Sequence, residues 1–208
     1  MEIKESLVNN LIQLSKKHEH TIIAICGAAD LGKSYFAKEL QALLHEQEVC
    51  AGHLTMDSYL LPRSKRISLG VSGYDPESYD IDSLKTDLQT FLNSAPVFYK
   101  EYNHERGVAD GEDQVITTCN VLILDGLHSM HSEINSLIDY AIFIFTRDSK
   151  LQKIRHQADI SKRRQSVDFS LKNLVSELER YKHNVHPYKA KADIVLELTE
   201  QWQYVECT

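Results

Sequence analysis

The residues best suited to chemistry form one run of eight that fits the phosphate-binding pattern G-x-x-x-x-G-K-[ST] at every fixed position. Its glycines allow a close backbone approach to an anion. Its lysine can reach the β- and γ-phosphates of a nucleotide, and its serine hydroxyl can bind Mg²⁺. The run predicts a site for a nucleoside triphosphate, with ATP and Mg²⁺ as the expected ligands. It consists of Gly27, Ala28, Ala29, Asp30, Leu31, Gly32, Lys33 and Ser34.

The segments on either side of this run fit the same chemistry. Thr21 to Cys26 is short, apolar and rich in β-branched residues, which predicts a strand buried on both faces. Ser34 to Gln47 carries apolar residues at helical spacing. A strand, a glycine loop and a helix in this order direct backbone N–H groups and a helix N-terminus toward an anion.

Two carboxylates follow predicted strands directly. Val49 to Met56 reads as a strand that ends at Asp57, and Val121 to Leu124 as a strand that ends at Asp125. The carboxyl ends of parallel strands meet at one edge of a sheet, so both acids and Gly27 are expected on one rim. There Asp125 would hold Mg²⁺, and Asp57 would take the proton of an attacking hydroxyl. Either acid could instead cap a turn or a helix.

A cationic segment follows the predicted strand Ala141 to Phe145. Such a charge run is usually a solvated helix face. Beside a triphosphate site, its arginines could also close as a lid and neutralise charge on the γ-phosphate. The cations are Arg147, Lys150, Lys153, Arg155, Lys162, Arg163 and Arg164.

Strands and helices alternate along the chain, which predicts an α/β fold with a mainly parallel sheet in one domain, residues 1–208. Residues 58–79 contain two prolines and two glycines and are predicted as a long loop. Residues 93–119 are predicted as an insertion with two short extended pieces. Further helices are predicted for residues 2–17, 80–92, 149–164 and 167–184, and final strands for residues 194–198 and 203–207.

Composition narrows the range of functions. The formal net charge of −7 argues against a broad nucleic-acid surface, and no apolar run is long enough to span a bilayer. The first residues have no signal-peptide pattern, and the four cysteines are far apart, so reduced core thiols in a cytoplasmic protein are expected. The ten histidines include two close pairs, but neither has zinc-like spacing to further ligands. They are interpreted as surface or loop histidines.

Several separate motifs give the chain a family resemblance. It resembles the uridine kinase and phosphoribulokinase branch of the P-loop kinases, most closely the uridine–cytidine kinases, from about residue 21 to residue 198. Besides the glycine loop, the motifs are Met56-Asp57-Ser58-Tyr59, Gly73-Tyr74-Asp75-Pro76-Glu77-Ser78-Tyr79-Asp80, Pro96-Val97-Phe98-Tyr99 with His104-Glu105-Arg106, Leu124-Asp125-Gly126-Leu127-His128 and Asp159-Ile160-Ser161-Lys162-Arg163.

The resemblance implies roles for individual residues. It makes Asp57 the catalytic base and Asp75 the residue that holds the ribose, although the spacing before Asp75 is one residue shorter than usual. It implies that Tyr99 and His104, on a small β-hairpin, contact the pyrimidine base. It also implies an Arg-rich helical lid at about residues 147–166, in which Arg155 and Arg163 contact substrate and phosphate. The implied activity is phosphorylation of the 5′-hydroxyl of uridine or cytidine, in pyrimidine salvage, by a homo-oligomer.

Departures from the family pattern keep other interpretations open. Asp125 stands where the family usually has Glu, and Arg164 and Gln165 stand where Gly and Arg are usual. Residues 76–80 also resemble pantothenate kinase, and residues 126–128 resemble phosphoribulokinase. The acceptor could therefore be pantothenate, ribulose 5-phosphate or glycerate. A regulatory module that binds a nucleotide without turnover is a further alternative.

Overall fold

A mostly parallel sheet forms the centre of the protein in the computed structural model, which describes residues 4–207. Six strands hydrogen-bond in the order β2-β5-β1-β6-β7-β8, and only β8 runs antiparallel to its neighbour. The predicted α/β class with a mainly parallel sheet is confirmed. The strands are β1 (Thr21–Gly27), β2 (Ala51–Thr55), β3 (Val97–Asn103), β4 (Val108–Ile116), β5 (Val121–Asp125), β6 (Tyr140–Phe145), β7 (Ile194–Leu198) and β8 (Tyr204–Glu206).

Helices cover both faces of this sheet. They are α1 (Glu5–Ser15), α2 (Lys33–Glu46), α3 (Arg63–Leu69), α4 (Ile81–Leu92), α5 (Asp148–Ser161) and α6 (Val167–Asn184). Short 3₁₀ turns span Met56–Tyr59, Pro76–Ser78, Asn135–Leu137 and His186–Lys191. None of the helices within residues 4–207 is long and apolar enough to cross a membrane.

Strand β5, which lies between β2 and β1, separates two hydrophobic cores. Val121 and Ile123 belong to the core shared with α1, α2, α5 and α6. Leu122 and Leu124 belong to the core shared with α4 and the β3–β4 hairpin. Because neighbouring residues of a strand point to opposite faces, a strand covered on both sides must be apolar throughout. This explains the uninterrupted apolar runs of the sequence.

The predicted insertion is an antiparallel hairpin of β3 and β4, with an irregular register between Lys100 and Tyr102. Strand β4 spans nine residues from Val108 to Ile116, so the second extended piece of the insertion is longer than the short piece predicted. Val97 and Ile116 pair at the base of the hairpin and are buried in the second core. This burial fixes the hairpin to the sheet, while its tip extends over the sheet edge that carries Asp57.

Two sequence predictions of local structure are corrected. The segment predicted as a loop, residues 58–79, contains α3. This helix buries none of its residues, so the apolar periodicity that reveals a helix is absent. Its end is marked by Gly70, which adopts a left-handed conformation with φ 68°. The predicted N-terminal helix begins at Glu5, and its Ile3 lies outside the described residues.

The cysteines are only partly core residues. All four are free, but Cys50 and Cys207 are exposed, which corrects the expectation of core thiols for these two. Cys26 and Cys119 are buried. Burial raises the pKa of the Cys26 thiol to about 12, so this group stays protonated beside the phosphate loop.

Candidate active site

The loop between β1 and α2 has the backbone shape that its glycines allow. A Cβ atom at Gly27, where φ is +140°, would collide with the carbonyl oxygen of Ile144. Gly32, with φ +80°, is the N-cap of α2, and a Cβ there would lie 2.6 Å from the hydroxyl of Tyr204. That hydroxyl donates to the carbonyl of Leu31 at 2.7 Å. Strand β8 therefore supports the backbone of the phosphate loop through the side chain of Tyr204.

The lysine and serine of the motif are held at the start of α2. The Lys33 ammonium is buried and donates to the carbonyl of Ala28 at 2.9 Å, within the loop itself. The Ser34 hydroxyl donates to Oδ1 of Asp125 at 3.0 Å. The first-turn amides of α2 have no intrahelical acceptor, so this end of the helix favours an anion. The loop thus brings amides, an ammonium and a hydroxyl to one place.

Asp125 is the buried carboxylate of the site. Its side chain is 4% exposed, and its Oδ2 lies 2.5 Å from Nε2 of His53. The oxygens of Ser34 and Asp125 are the hard donors that Mg²⁺ prefers. Within residues 4–207 no group of three His, Cys, Asp or Glu side chains could hold a metal ion. This donor set fits a Mg²⁺ ion bound by few protein oxygens together with nucleotide phosphates.

Asp57 lies at the same edge of the sheet as the phosphate loop. Thr55 pairs with Asp125 across the β2–β5 ladder, and Asp57 follows two residues later. The hydroxyl of Thr55, not Asp57, caps the turn by accepting from the amide of Asp57 at 3.4 Å. The Asp57 carboxylate is 36% exposed and lies 3.4 Å from Nε2 of His104. It is therefore accessible to a ligand.

The hairpin brings both of its predicted base-reading residues to this edge. His104 is exposed at the hairpin tip and contacts Asp57 and the ring of Tyr102. Tyr99 is half-buried, and its hydroxyl lies 3.5 Å from the carbonyl oxygen of His53. Burial raises the pKa of the Tyr99 hydroxyl, so it is available as a neutral donor.

Asp75, the predicted ribose-binding residue, is surrounded by protein donors. Its Oδ1 accepts from the Asn184 side chain at 2.9 Å, and its Oδ2 accepts from the amide of Ser72 at 2.8 Å. Its Oδ2 also forms an ion pair with Arg180 of α6. No direct contact joins Asp75 to Asp57 or to the hairpin residues among the described hydrogen bonds and ion pairs.

The predicted lid cations converge on the phosphate loop. The carboxylate of Asp30 lies 3.0 Å from Arg163, 3.4 Å from Lys162 and 3.7 Å from Arg155. Burial alone raises the pKa of Asp30, but the charges of these three cations outweigh it and hold the pKa below its usual value. Asp30 thus joins the phosphate loop to the segment that the sequence predicts as a lid.

Only the C-terminal part of the cationic segment faces the site. Arg155 is 12% exposed and also pairs with Asp159 at 3.3 Å and Glu177 at 3.4 Å. At the other end of α5, Arg147 pairs with Glu197 of β7, and Lys150 donates to the carbonyl of Thr199. Arg147 and Lys150 therefore anchor the helix to the sheet.

His128 lies in the turns that follow β5, as expected for a loop histidine, but it is not a surface residue. It is fully buried, with Tyr79 and Tyr188 packed edge-on at ring distances of 5.4 and 6.0 Å. Burial, with a smaller contribution from the charge of His131, lowers the pKa of His128 to about 3. Tyr79 is buried too, and burial together with the nearby Asp57 raises the pKa of its hydroxyl. Sequence reasoning gave neither residue a role, because their burial depends on long-range packing.

Comparison with known proteins assigns the family. The family model described as "Phosphoribulokinase / Uridine kinase family" matches residues 22–203. The chain belongs to this family. The match covers both the phosphate loop and the lid, so the resemblance inferred from separate motifs is confirmed. As a member of the phosphoribulokinase/uridine kinase family, the chain has a nucleotide-binding fold, in which the phosphate loop, Asp57 and Asp125 lie at one edge of the sheet.

Proteins similar in sequence to this chain are named as kinases of different acceptors. A uridine kinase from Lactobacillus helveticus is 24% identical over 191 residues, which cover 88% of this chain and 89% of that protein. A pantothenate kinase from Streptococcus thermophilus is 30% identical over 153 residues, covering 69% of this chain and 50% of that protein. This chain therefore matches only about half the length of the pantothenate kinase.

A solved structure shows the same fold. The D-glycerate 3-kinase from Cryptococcus neoformans superimposes with a TM-score of 0.72 at 11% identity, over 97% of this chain and 97% of that one. At this identity the likeness concerns the fold alone. The family is thus defined, while the names of its members point to several acceptors.

Proposed function

We propose that this protein is an ATP-dependent kinase that transfers the γ-phosphoryl group to the hydroxyl of a small molecule. The first candidate for that hydroxyl is the 5′-hydroxyl of uridine or cytidine. One observation carries the proposal: the accessible carboxylate of Asp57 lies at the sheet edge where Ser34 bonds Asp125 at 3.0 Å. Phosphoryl transfer needs a phosphate-binding loop, a metal-binding acid and a base within reach of one another.

The residues divide the reaction between them. Lys33 and the loop amides hold the phosphates, and Ser34 and Asp125 hold Mg²⁺, which when bound neutralises charge on the phosphate oxygens. Asp57 accepts the proton of the acceptor hydroxyl as its oxygen bonds to the γ-phosphorus. The bond between the γ-phosphorus and the bridging oxygen breaks, and ADP leaves.

The lid arginines act on the transferred group. Arg155 and Arg163 already lie over the loop through their contacts with Asp30. In the proposed reaction, the γ-phosphate attracts these guanidinium groups in competition with the Asp30 carboxylate. Fixed cations stabilise the charge of the transition state without reorganising solvent.

The identity of the acceptor depends on the hairpin and on Asp75. A nucleoside is supported by His104 beside Asp57 and by the uridine kinase relative that matches over most of its length. Both oxygens of Asp75 are engaged by protein donors, so a ribose would have to displace Asn184 or Arg180. This second observation favours pantothenate, ribulose 5-phosphate and D-glycerate as alternative acceptors.

A coupled assay of ADP release tests the proposal directly. Uridine, cytidine, pantothenate, ribulose 5-phosphate and D-glycerate are offered in turn with ATP and Mg²⁺. Acceptor-dependent ADP release that is lost in Asp57→Asn supports the proposal. Tight ATP binding by folded protein, with no turnover on any acceptor, contradicts it and favours a nucleotide-binding regulatory module.

A variant of the hairpin separates the two groups of acceptors. Replacement of Tyr99 and His104 together, by Phe and Ala, should weaken a nucleoside acceptor selectively through KM. An equal loss with every acceptor would instead indicate a defect in the fold of the hairpin. The matched control is Lys100→Ala, because Lys100 lies on the same strand with its charge in solvent, paired only to exposed Asp113.

A further inference from the structure

The side chain of His53 on β2 contacts the acid that closes β5. Its Nε2 lies 2.5 Å from Oδ2 of Asp125, and the two side chains are 12% and 4% exposed. A contact this short between buried groups belongs to the strong class of hydrogen bonds, in which an N–H donates to an ionised oxygen. His53 and Ser34 are thus the two side chains that hydrogen-bond to Asp125 among the described residues.

The parallel ladder produces this contact. His53 pairs with Ile123, and Thr55 pairs with Asp125. Residues two apart on a strand point to the same face, so His53 and Asp125 are diagonal neighbours on one face of the sheet. Backbone hydrogen bonds fix both strands in the sheet. The contact between His53 and Asp125 therefore depends on two rigid strands and not on the conformation of a loop.

The two oxygens of Asp125 have separate partners. Oδ1 accepts from the Ser34 hydroxyl at 3.0 Å, whereas Oδ2 accepts from His53 at 2.5 Å. A carboxylate bonded through both oxygens cannot rotate freely about its last torsion. Aspartate has a single methylene, so its oxygens cannot adjust by extending toward the loop. The orientation of the Asp125 carboxylate is therefore set by its two donors, Ser34 and His53.

His53 is also in contact with the hairpin. Its carbonyl oxygen lies 3.5 Å from the hydroxyl of Tyr99. The backbone of His53 thus adjoins the proposed acceptor side, while its imidazole adjoins the metal side. His53 therefore lies between the acceptor side and the metal side of the proposed site.

We propose that His53 is a positioning residue for the metal site. It donates from Nε2 to Oδ2 of Asp125 and directs Oδ1 toward the Ser34 hydroxyl, so that Oδ1 and the hydroxyl oxygen of Ser34 would be the protein oxygens that hold a metal of a bound nucleotide complex. This inference rests on the proposed function only in assuming a divalent cation at Ser34 and Asp125. Partners of a ligating carboxylate typically change metal affinity by about 10- to 100-fold when removed.

A matched pair of variants tests this role. His53→Met and His53→Gln introduce unbranched side chains of similar length, but only glutamine carries an N–H donor. The probe is the binding of Mn²⁺ to the protein in the presence of a non-hydrolysable ATP analogue and without any acceptor. Electron paramagnetic resonance detects the bound Mn²⁺. We expect Mn²⁺ to bind about 10- to 100-fold more weakly to His53→Met, and His53→Gln to retain most of the affinity.

The control is a second histidine bonded to the same strand. His45 contacts the carbonyl of Ala51 through Nε2 at 3.0 Å, and it contacts no carboxylate among the described residues. His45→Met should leave Mn²⁺ affinity unchanged. Equal losses in His53→Met and His53→Gln would indicate packing alone and would overturn the proposal, as would unchanged affinity in both.

A measurement on the unaltered protein is independent of the folding of any variant. Long-range ¹H–¹⁵N spectra should show His53 protonated on Nε2, and that signal should shift in Asp125→Asn. An unprotonated Nε2 overturns the proposal. If the unaltered protein binds no Mn²⁺–nucleotide complex, the proposed kinase function fails as well; inactivity toward every acceptor with Mn²⁺ binding intact leaves the role of His53 unaffected.

Discussion

Arg163 donates from Nη2 to Oδ2 of Asp30 over 3.0 Å and so joins the predicted lid to the phosphate loop. Asp30 adopts φ 64°, a left-handed conformation that Asp tolerates better than most residues. Its carboxylate is 8% exposed, although it belongs to a loop that binds anions. A negative charge is stable there because the lid supplies the compensating cations.

The contact at Asp30 predicts a linked effect on the lid and on nucleotide binding. Asp30→Asn should lower the free energy of unfolding by about 1–2 kcal/mol at pH 7, because a buried charge-assisted hydrogen bond is lost. It should also raise amide hydrogen exchange over residues 155–165 without nucleotide, and tighten ATP binding by freeing Arg163. Hydrogen-exchange mass spectrometry measures the second of these three effects, and scanning and titration calorimetry measure the first and the third.

The pH dependence of this effect has a defined sign. The folded-state pKa of Asp30 is lowered, so its stabilisation is complete above about pH 4 and is lost as the pH falls through the lowered pKa. The unaltered protein and Asp30→Asn should therefore converge in stability in strong acid. Glu46→Gln, at the exposed last residue of α2, is the control for loss of one negative charge, and an equal effect there would contradict the prediction.

Asp57 is predicted to act on the chemical step. Asp57→Asn should reduce kcat by about 10²- to 10⁴-fold, the usual contribution of a general base, with little change in ATP affinity. Steady-state kinetics and nucleotide titration measure the two quantities. Asp113→Asn, on strand β4 of the hairpin and 82% exposed, should retain full activity. Loss of ATP binding in Asp57→Asn would show that the substitution damages the loop instead.

Asp75 and Arg180 are predicted to stabilise the fold together. Each of Asp75→Asn and Arg180→Met should destabilise the protein, and the double variant should cost less than the sum. We expect a coupling of about 1–3 kcal/mol, as for other residues in one ion-pair network. Urea unfolding of the four proteins gives this value. Additive losses would show that Asp75 and Arg180 do not stabilise each other.

The buried imidazole of His128 predicts a stability change near neutral pH. Its folded pKa of about 3 lies below the ordinary value of about 6.5, so only the unfolded chain takes up the proton between these values. Stability should therefore fall by up to about 2 kcal/mol from pH 7 to pH 5 through this group.

Unfolding curves at several pH values test that slope. His128→Leu cannot take up the proton and should lose this part of the slope, even if its stability at pH 7 is lower. His45→Gln, at an exposed position, serves as the matched control. An unchanged slope in His128→Leu would contradict the assignment of a neutral, buried imidazole.

Local sequence determined the elements whose signal is contained in a few adjacent residues. The glycine loop is specified by residue types that the backbone there requires, as the collision predicted for a Cβ at Gly27 shows. Buried strands such as β5 are specified by apolar runs, and Asp125 and Asp57 by their positions directly after them. The start of α4 is also locally encoded: Asp80 is a residue type that favours the N-cap, and it caps the helix by accepting from the amide of Ser83 at 3.0 Å.

Tertiary structure decided every feature that depends on partners far along the chain. Helix α3 has no buried face, so no periodic signal marks it. The engagement of Asp75 by Arg180 joins residues 105 positions apart, and the contact of Arg163 with Asp30 joins residues 133 positions apart. His53 meets Asp125 only because β2 and β5 are neighbours in the sheet. Residue type fixes what a side chain can bind, whereas the fold decides which partner lies within its reach.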